Sequence, residues 1–236
     1  AQQDLLIAEL NHRVRNILGL IRALVSQSQH EALSVPGFAA ILGGRIAALA
    51  AAHDNITAKN WGPASLAALL EAELAPYRGD HSARFQLIGE DVLITPEAYT
   101  ILALVVHELA TNSAKYGSLS ARAGRVEVRL ARTAFGDLAI SWREAGGPPV
   151  TAPKRHGFGS TIITRTIPHD LLGEAEVRYR LAGVEADFLI PARYLAGTDA
   201  GPAASSAPAV RRAEPVRAAS AYALAGCPAH VLVVED

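Results

Sequence analysis

His12 is the first residue whose type and setting could do chemistry. Leu10, Val14, Ile17, Ile21, Leu24 and Val25 recur at helical spacing. On that wheel their stripe centres near Val14 and Ile21, and His12 falls roughly 180° away, beside Glu9, Asn16 and Gly19. An exposed neutral imidazole can attack phosphorus, because histidine titrates near neutrality. Glu9, one turn earlier, could take its proton or fix its tautomer. Arg13 and Arg15 could steer a phosphate. The plain alternative is an ordinary surface histidine.

A second constellation lies about 95 residues further on. Glu108, Asn112 and Lys115 sit at i, i+4 and i+7, within about 60° of one another on a helix. They prolong the stripe of Ile101, Leu104 and Val105, so polar groups stand where core would otherwise continue. Burying them without partners is costly, so they either satisfy one another or line a cavity. Mg²⁺ favours hard oxygen ligands and completes its shell with water and phosphate oxygens. Asn112 offers such an oxygen, Lys115 a counter-charge for phosphate, and Glu108 a base or a water ligand. A structural polar cluster is the competing reading.

Two glycine segments complete the set. Trp142-Arg143-Glu144-Ala145-Gly146-Gly147 ends a strand pattern, where Glu144 could accept a hydrogen bond from an adenine amino group or simply cap a turn. Gly157-Phe158-Gly159-Ser160 precedes a helical segment, where backbone N–H groups can approach phosphates. The P-loop pattern GxxxxGK[ST] is absent, as are the HRD and DFG motifs of protein kinases.

These residues need positioning elements. The spacing predicts two helices between about Gln2 and Ala58, broken at Ser34-Val35-Pro36-Gly37; the second carries Phe38, Ile41, Leu42, Ile46, Leu49 and Ile56. They form an antiparallel hairpin whose apolar stripes need a partner, either a second copy or the next domain. Further on, a helix is expected over Ala64–Leu74 and strands at Phe85–Ile88 and Val92–Ile94. Thr95-Pro96-Glu97 opens a helix that runs to Tyr116 and stops at Gly117. Val126–Leu130 and Leu138–Trp142 alternate like a hairpin about Gly136-Asp137. A short helix after Gly159 and strands at Glu176–Arg180 and Ala186–Ile190 follow. The fold class is α+β, a helical hairpin followed by an α/β sandwich with a mixed sheet and helices on one face. Residues 1–60 make the hairpin, 61–195 the sandwich and 196–229 an Ala/Pro/Ser-rich linker. Residues 230–236, HVLVVED, read as the first strand of another domain.

Composition narrows the function classes. Among 236 residues, 50% are hydrophobic and 19% charged, so a packed core is expected. A net charge of -1 gives no electrostatic reason to expect nucleic acid or an anionic membrane as partner. The single cysteine, Cys227, excludes disulfides within the chain and fits a reducing cytoplasm. No run of about 18 apolar residues suggests a membrane span, and no signal peptide is visible. With no methionine, even at position 1, the chain reads as a piece of a longer protein whose upstream sensor module lies outside it.

Taken together, these motifs resemble the HWE family of histidine kinases, within the superfamily that shares the Bergerat ATP-binding fold. The family is named for a His in its N box and a Trp-x-Glu in its G1 box. Here these are His107, in HELATNSAKYG, and Trp142-Arg143-Glu144. The segment ELNHRVRNILGL, Glu9 to Leu20, is similar to the family's phosphoacceptor box. The resemblance spans roughly Asp4 to Pro191.

The resemblance implies His12 as phosphoacceptor, Glu108 as a further catalytic residue, and Asn112 with Glu108 as the Mg²⁺ site. It implies nucleotide binding by Asn112, Lys115, Tyr116, Glu144, Gly146, Gly157 and Gly159. Against the DxGxG pattern of other histidine kinases, Glu144 replaces Asp and Pro148 takes the last glycine position. HVLVVED resembles the opening strand of a response-regulator receiver, with Glu235 and Asp236 matching its acidic pair. The implied activity is ATP- and Mg²⁺-dependent phosphorylation of His12, then transfer to a receiver aspartate, in a cytoplasmic homodimer joined through the hairpin. Two alternatives stand beside it. One is a non-catalytic phosphotransfer or scaffold protein with a degenerate ATP site. The other is an ATPase in which Glu108 activates water.

Overall fold

The computed structural model describes residues 18–19, 21–22, 24–26, 28–29, 34–78, 84–151 and 162–196. The described residues between 18 and 29 are all helical and are called α1. Helix α2 spans Val35–Ala58. Ser34 caps it by accepting a hydrogen bond from the Gly37 amide at 3.2 Å, and Pro36 occupies its first turn. Strand β1 (Ala64–Ser65) leads into α3 (Leu66–Leu74). Next come β2 (Phe85–Ile88), β3 (Leu93–Ile94) and α4 (Pro96–Lys115), which Thr95 caps as expected. The hairpin β4 (Arg125–Arg132) and β5 (Leu138–Ala145) follows. A π-helical turn, Ile162–Thr166, runs into α5 (Ile167–Asp170), and β6 (Glu174–Arg180) and β7 (Gly183–Ile190) close the domain.

Five strands form one sheet in the order β2-β4-β5-β7-β6. Among the described strands only β2 runs parallel to its neighbour; the other pairs are antiparallel, so the sheet is mixed. The expected strand at Val92–Ile94 takes a different place. It shortens to Leu93–Ile94 and pairs with β1, a two-residue strand too short to show a period-2 pattern.

Alternation along β5 buries Leu138, Ile140, Trp142 and Glu144 on one face. The same face carries Val126, Val128 and Leu130 from β4 and Ala186, Phe188 and Ile190 from β7. Helices α3 and α4 cover it, and Leu66, Leu70, Leu102, Val105 and Leu109 line a small apolar cavity together with Trp142. Cross-strand ion pairs such as Arg143–Asp187 lie on the other face.

The hairpin does not stand apart. Leu24 of α1 and Ala52 and Ile56 of α2 belong to the same hydrophobic core as the sheet. Of the two coverings left open for the hairpin stripe, the next domain supplies one: α2 packs along α4. The stripe itself differs from expectation. Its buried residues are Arg45, Ala48, Leu49, Ala52 and Ile56, while Ile46 is 42% exposed. A guanidinium takes the core position because a carboxylate waits for it on α4.

Helix α2 also corrects the expectation about apolar runs. Its mean hydropathy of 1.6 makes it long and apolar enough to cross a membrane by length and composition. A core helix passes the same test, and in this structure α2 lies on α4.

Candidate nucleotide site

The C-terminal end of α4 and the end of β5 meet at Glu144. Two residues separate it from Trp142, so both side chains project from one face of β5. The indole Nε1–H of Trp142 donates to Glu144 Oε1 at 3.2 Å, and the Ser118 amide donates to Oε2 at 2.9 Å. A carboxylate that is 7% exposed is thereby fixed, with a lone pair on each oxygen left for another donor. This is the physical content of the Trp-x-Glu spacing: the tryptophan both fills the core and orients the acid.

Glycine makes the approach possible. A Cβ on Gly117 would stand 2.3 Å from Glu144 Oε2. Gly146 has φ of +74°, and a Cβ there would stand 2.5 Å from the Ala123 carbonyl oxygen. Its immediate task is therefore close contact with the loop after α4. Arg84 braces that loop, donating to the carbonyls of Leu119, Ala121 and Gly124, and also to that of Tyr77. Ser113 and Ser118 add a hydroxyl pair 3.2 Å apart.

Asn112 is half-buried near the end of α4, and its backbone carbonyl accepts from the Tyr116 amide at 2.8 Å. Lys115 is exposed and Tyr116 is 73% exposed, both in the last turn. Asn112, Lys115, Tyr116 and Glu144 thus belong to the same end of the domain. Glu108 behaves differently. It is 4% exposed, and its carboxylate is taken by Arg45 of α2, with Nε–Oε1 at 2.7 Å and Nη2–Oε2 at 3.0 Å. The i, i+4, i+7 stack of polar groups is therefore split between an ion pair and an open end.

His107 faces α3 and α2. Its Nδ1 lies 3.0 Å from Glu73 Oε2, both side chains being largely buried. Burial first, and the Glu73 carboxylate second, push the Tyr77 and Tyr99 phenols above their ordinary value. His12, Gly157 and Gly159 lie outside the described residues, as do Glu235, Asp236 and the 197–229 stretch.

Arg45, Ser28, Glu73, Ser118 and Arg84 escaped the sequence reading. Arg45 carried a usable signal. An arginine in the buried register of a largely apolar helix demands a carboxylate partner. The other four have unremarkable sequence contexts and act through backbone or long-range contacts.

The family profile described as HWE histidine kinase matches residues 9–91. Blue-light-activated histidine kinase 1 of Erythrobacter litoralis is 34% identical over 194 residues, covering 80% of this chain and 53% of that protein. The blue-light-activated histidine kinase of Brucella anthropi is 27% identical over 194 residues, covering 81% and 40%. The chain thus spans about half the length, or less, of the curated relatives it matches. Among solved structures, the histidine kinase domain of the Erythrobacter litoralis EL346 blue-light activated histidine kinase superposes with a TM-score of 0.55 at 20% identity. That match covers 79% of this chain and 90% of the domain, and at that identity it speaks for the fold. These matches show that residues 9–91 fit the HWE histidine kinase profile and that the chain is similar to blue-light-activated histidine kinases over about 80% of its length.

Proposed function

We propose that this chain is the ATP-dependent protein-histidine kinase core of a two-component system. The observation that carries the reading is the fixed Glu144 carboxylate, held by Trp142 and Ser118 against the helix end that bears Asn112 and Lys115. A buried anionic acceptor suits the exocyclic amino group of adenine. Lys115 suits the phosphates.

Mg²⁺ fits the donor set. Among the described residues no group of three or more His, Cys, Asp or Glu could hold a metal. Mg²⁺ on a nucleotide does not need one, since phosphates and waters fill most of its shell. Asn112 supplies a carboxamide oxygen, and Glu108 contributes only with whatever capacity its pairing with Arg45 leaves. When bound, the ion neutralises charge on the transferred phosphoryl group.

In the proposed reaction a neutral imidazole nitrogen of His12 forms a bond to the γ-phosphorus. The bond from that phosphorus to the β–γ bridging oxygen breaks, ADP leaves, and the imidazole loses its proton to a base such as Glu9. A receiver aspartate then attacks the phosphorus, the N–P bond breaks, and the leaving imidazole nitrogen takes up a proton. The protein's part is positioning and charge stabilisation. The partners of the whole protein are then a response-regulator receiver, an upstream sensor module and a second copy through the hairpin, in the cytoplasm.

The test separates kinase from ATPase. With ATP and Mg²⁺ the chain should accumulate protein-bound phosphate and then stop. Sustained release of free phosphate, unaffected by His12→Ala, would make it an ATPase instead. A chain that binds no Mg²⁺–ATP would be the degenerate phosphotransfer protein.

A further inference from the structure

Arg45 occupies a core position of α2 and is 2% exposed. Its guanidinium grips Glu108 of α4 through two parallel hydrogen bonds of 2.7 and 3.0 Å. Its third nitrogen, Nη1, donates to the Ser28 hydroxyl of α1 at 2.8 Å. Ser28 is 0% exposed and Glu108 4%, so the whole contact is buried. Three helices therefore meet on one planar group. Beside it, the His107 ring packs near Gly44, where an added Cβ would stand 3.5 Å from Nε2, and Glu73 of α3 holds the ring from its other nitrogen. Consecutive residues Gly44–Arg45 thus face consecutive residues His107–Glu108.

A buried ion pair is weak support for stability, because desolvation offsets the attraction; its best-attested use is fixing register. The apolar contacts of Ala48, Leu49 and Ala52 tolerate sliding, whereas a bidentate fork on a carboxylate does not. Lysine could not replace it, since an ammonium is a point charge without the fork. The pair also neutralises Glu108, one turn from Asn112. An incoming phosphate then does not meet Glu108 as a bare negative charge.

We propose that Arg45 is a positioning residue for phosphoryl transfer: by holding Ser28 and Glu108 together it sets α1, which follows the proposed acceptor His12 in the sequence, against the α4 helix of Asn112. The proposal rests on the kinase reading above. In-line displacement is sensitive to placement, and an error of about 1 Å can cost on the order of 100-fold in rate.

The test compares wild type with Arg45→Lys and Arg45→Gln in the full chain, by two readouts. The first is the rate of autophosphorylation against ATP concentration. Both variants should lose at least about tenfold in kcat while KM for ATP stays within about twofold. The second is amide hydrogen exchange, which needs no activity. Exchange should rise in α1 and in the Leu104–Asn112 part of α4, and stay unchanged in β4 and β5. Circular dichroism checks folding, and if Arg45→Gln does not fold, Arg45→Lys carries the test. Wild-type kcat in a folded variant, or a loss confined to KM, would overturn the proposal. Absent wild-type labelling would instead sink the kinase reading, and exchange in α1 would still decide whether Arg45 couples the helices.

Discussion

The Glu144 carboxylate and the Ser118 backbone amide lie 2.9 Å apart, and this contact joins the end of β5 to the loop that leaves α4. The acid that would read adenine and the helix that would hold phosphate are thereby parts of one unit. Gly117 is the residue that lets them touch.

Gly117→Ala places a methyl group where Glu144 Oε2 now sits, at 2.3 Å. The carboxylate must move and lose its amide donor. A hydrogen bond to a charged group contributes about 1.5–3 kcal/mol, so ATP affinity should fall at least about tenfold. Calorimetric titration with ATP checks this. Unchanged affinity would remove Glu144 from the proposed adenine contact.

Trp142 is 1% exposed and donates to Glu144, so its two roles can be separated. Trp142→Phe keeps an aromatic ring but drops the indole donor, at a stability cost of about 1–3 kcal/mol. Trp142→Ala adds a cavity beneath α3 and α4 and should cost about 3–5 kcal/mol. Urea denaturation gives both values. Equal costs for the two variants would mean that the ring fills little of the core.

Asp187 offers a pH signature. Burial pushes its carboxyl up, but hydrogen bonds from Arg143 and Arg178 and the Arg143 charge outweigh that and leave it below its ordinary value. A depressed carboxyl contributes stability above its unfolded pKa, near 4, and loses it as pH falls through the lower folded value. Stability should therefore drop with acidification below about pH 4, and Asp187→Asn should flatten that drop. Denaturant midpoints measured between about pH 2 and pH 6 check it. An identical slope in both proteins would contradict the assignment.

Asn112→Ala removes the proposed metal oxygen without disturbing the Glu108 pair. Mg²⁺-dependent phosphorylation should fall by at least about 100-fold, as expected for loss of a group that positions the phosphates. Metal-free ATP binding should change little. Equal loss of binding with and without Mg²⁺ would point to a nucleotide contact rather than a metal ligand.

Much of the fold was legible because its signals are local. The Thr95 cap with Pro96, the Gly117 stop and the alternation of Leu138, Ile140 and Trp142 each follow from a few neighbouring residues. The parallel pairing of β2 with β4 and the β1–β3 ladder were not legible, since partner choice is a long-range matter. Residue types pointed to Asn112, Lys115 and Glu144 as proposed nucleotide contacts, but not to the Trp142 and Ser118 donors that hold Glu144. Glu108 shows the limit most clearly. Its spacing with Asn112 suggested a shared cavity, whereas the structure gives its carboxylate to Arg45, a residue 63 positions away. His107 carries part of the family resemblance, and its contact with Glu73 is equally invisible to any local pattern.

The most direct test of the kinase account is labelling with γ-labelled ATP and Mg²⁺, comparing wild type with His12→Ala. The account predicts acid-labile, alkali-stable label on the wild-type chain and none on the variant. Equal labelling of both chains would contradict it.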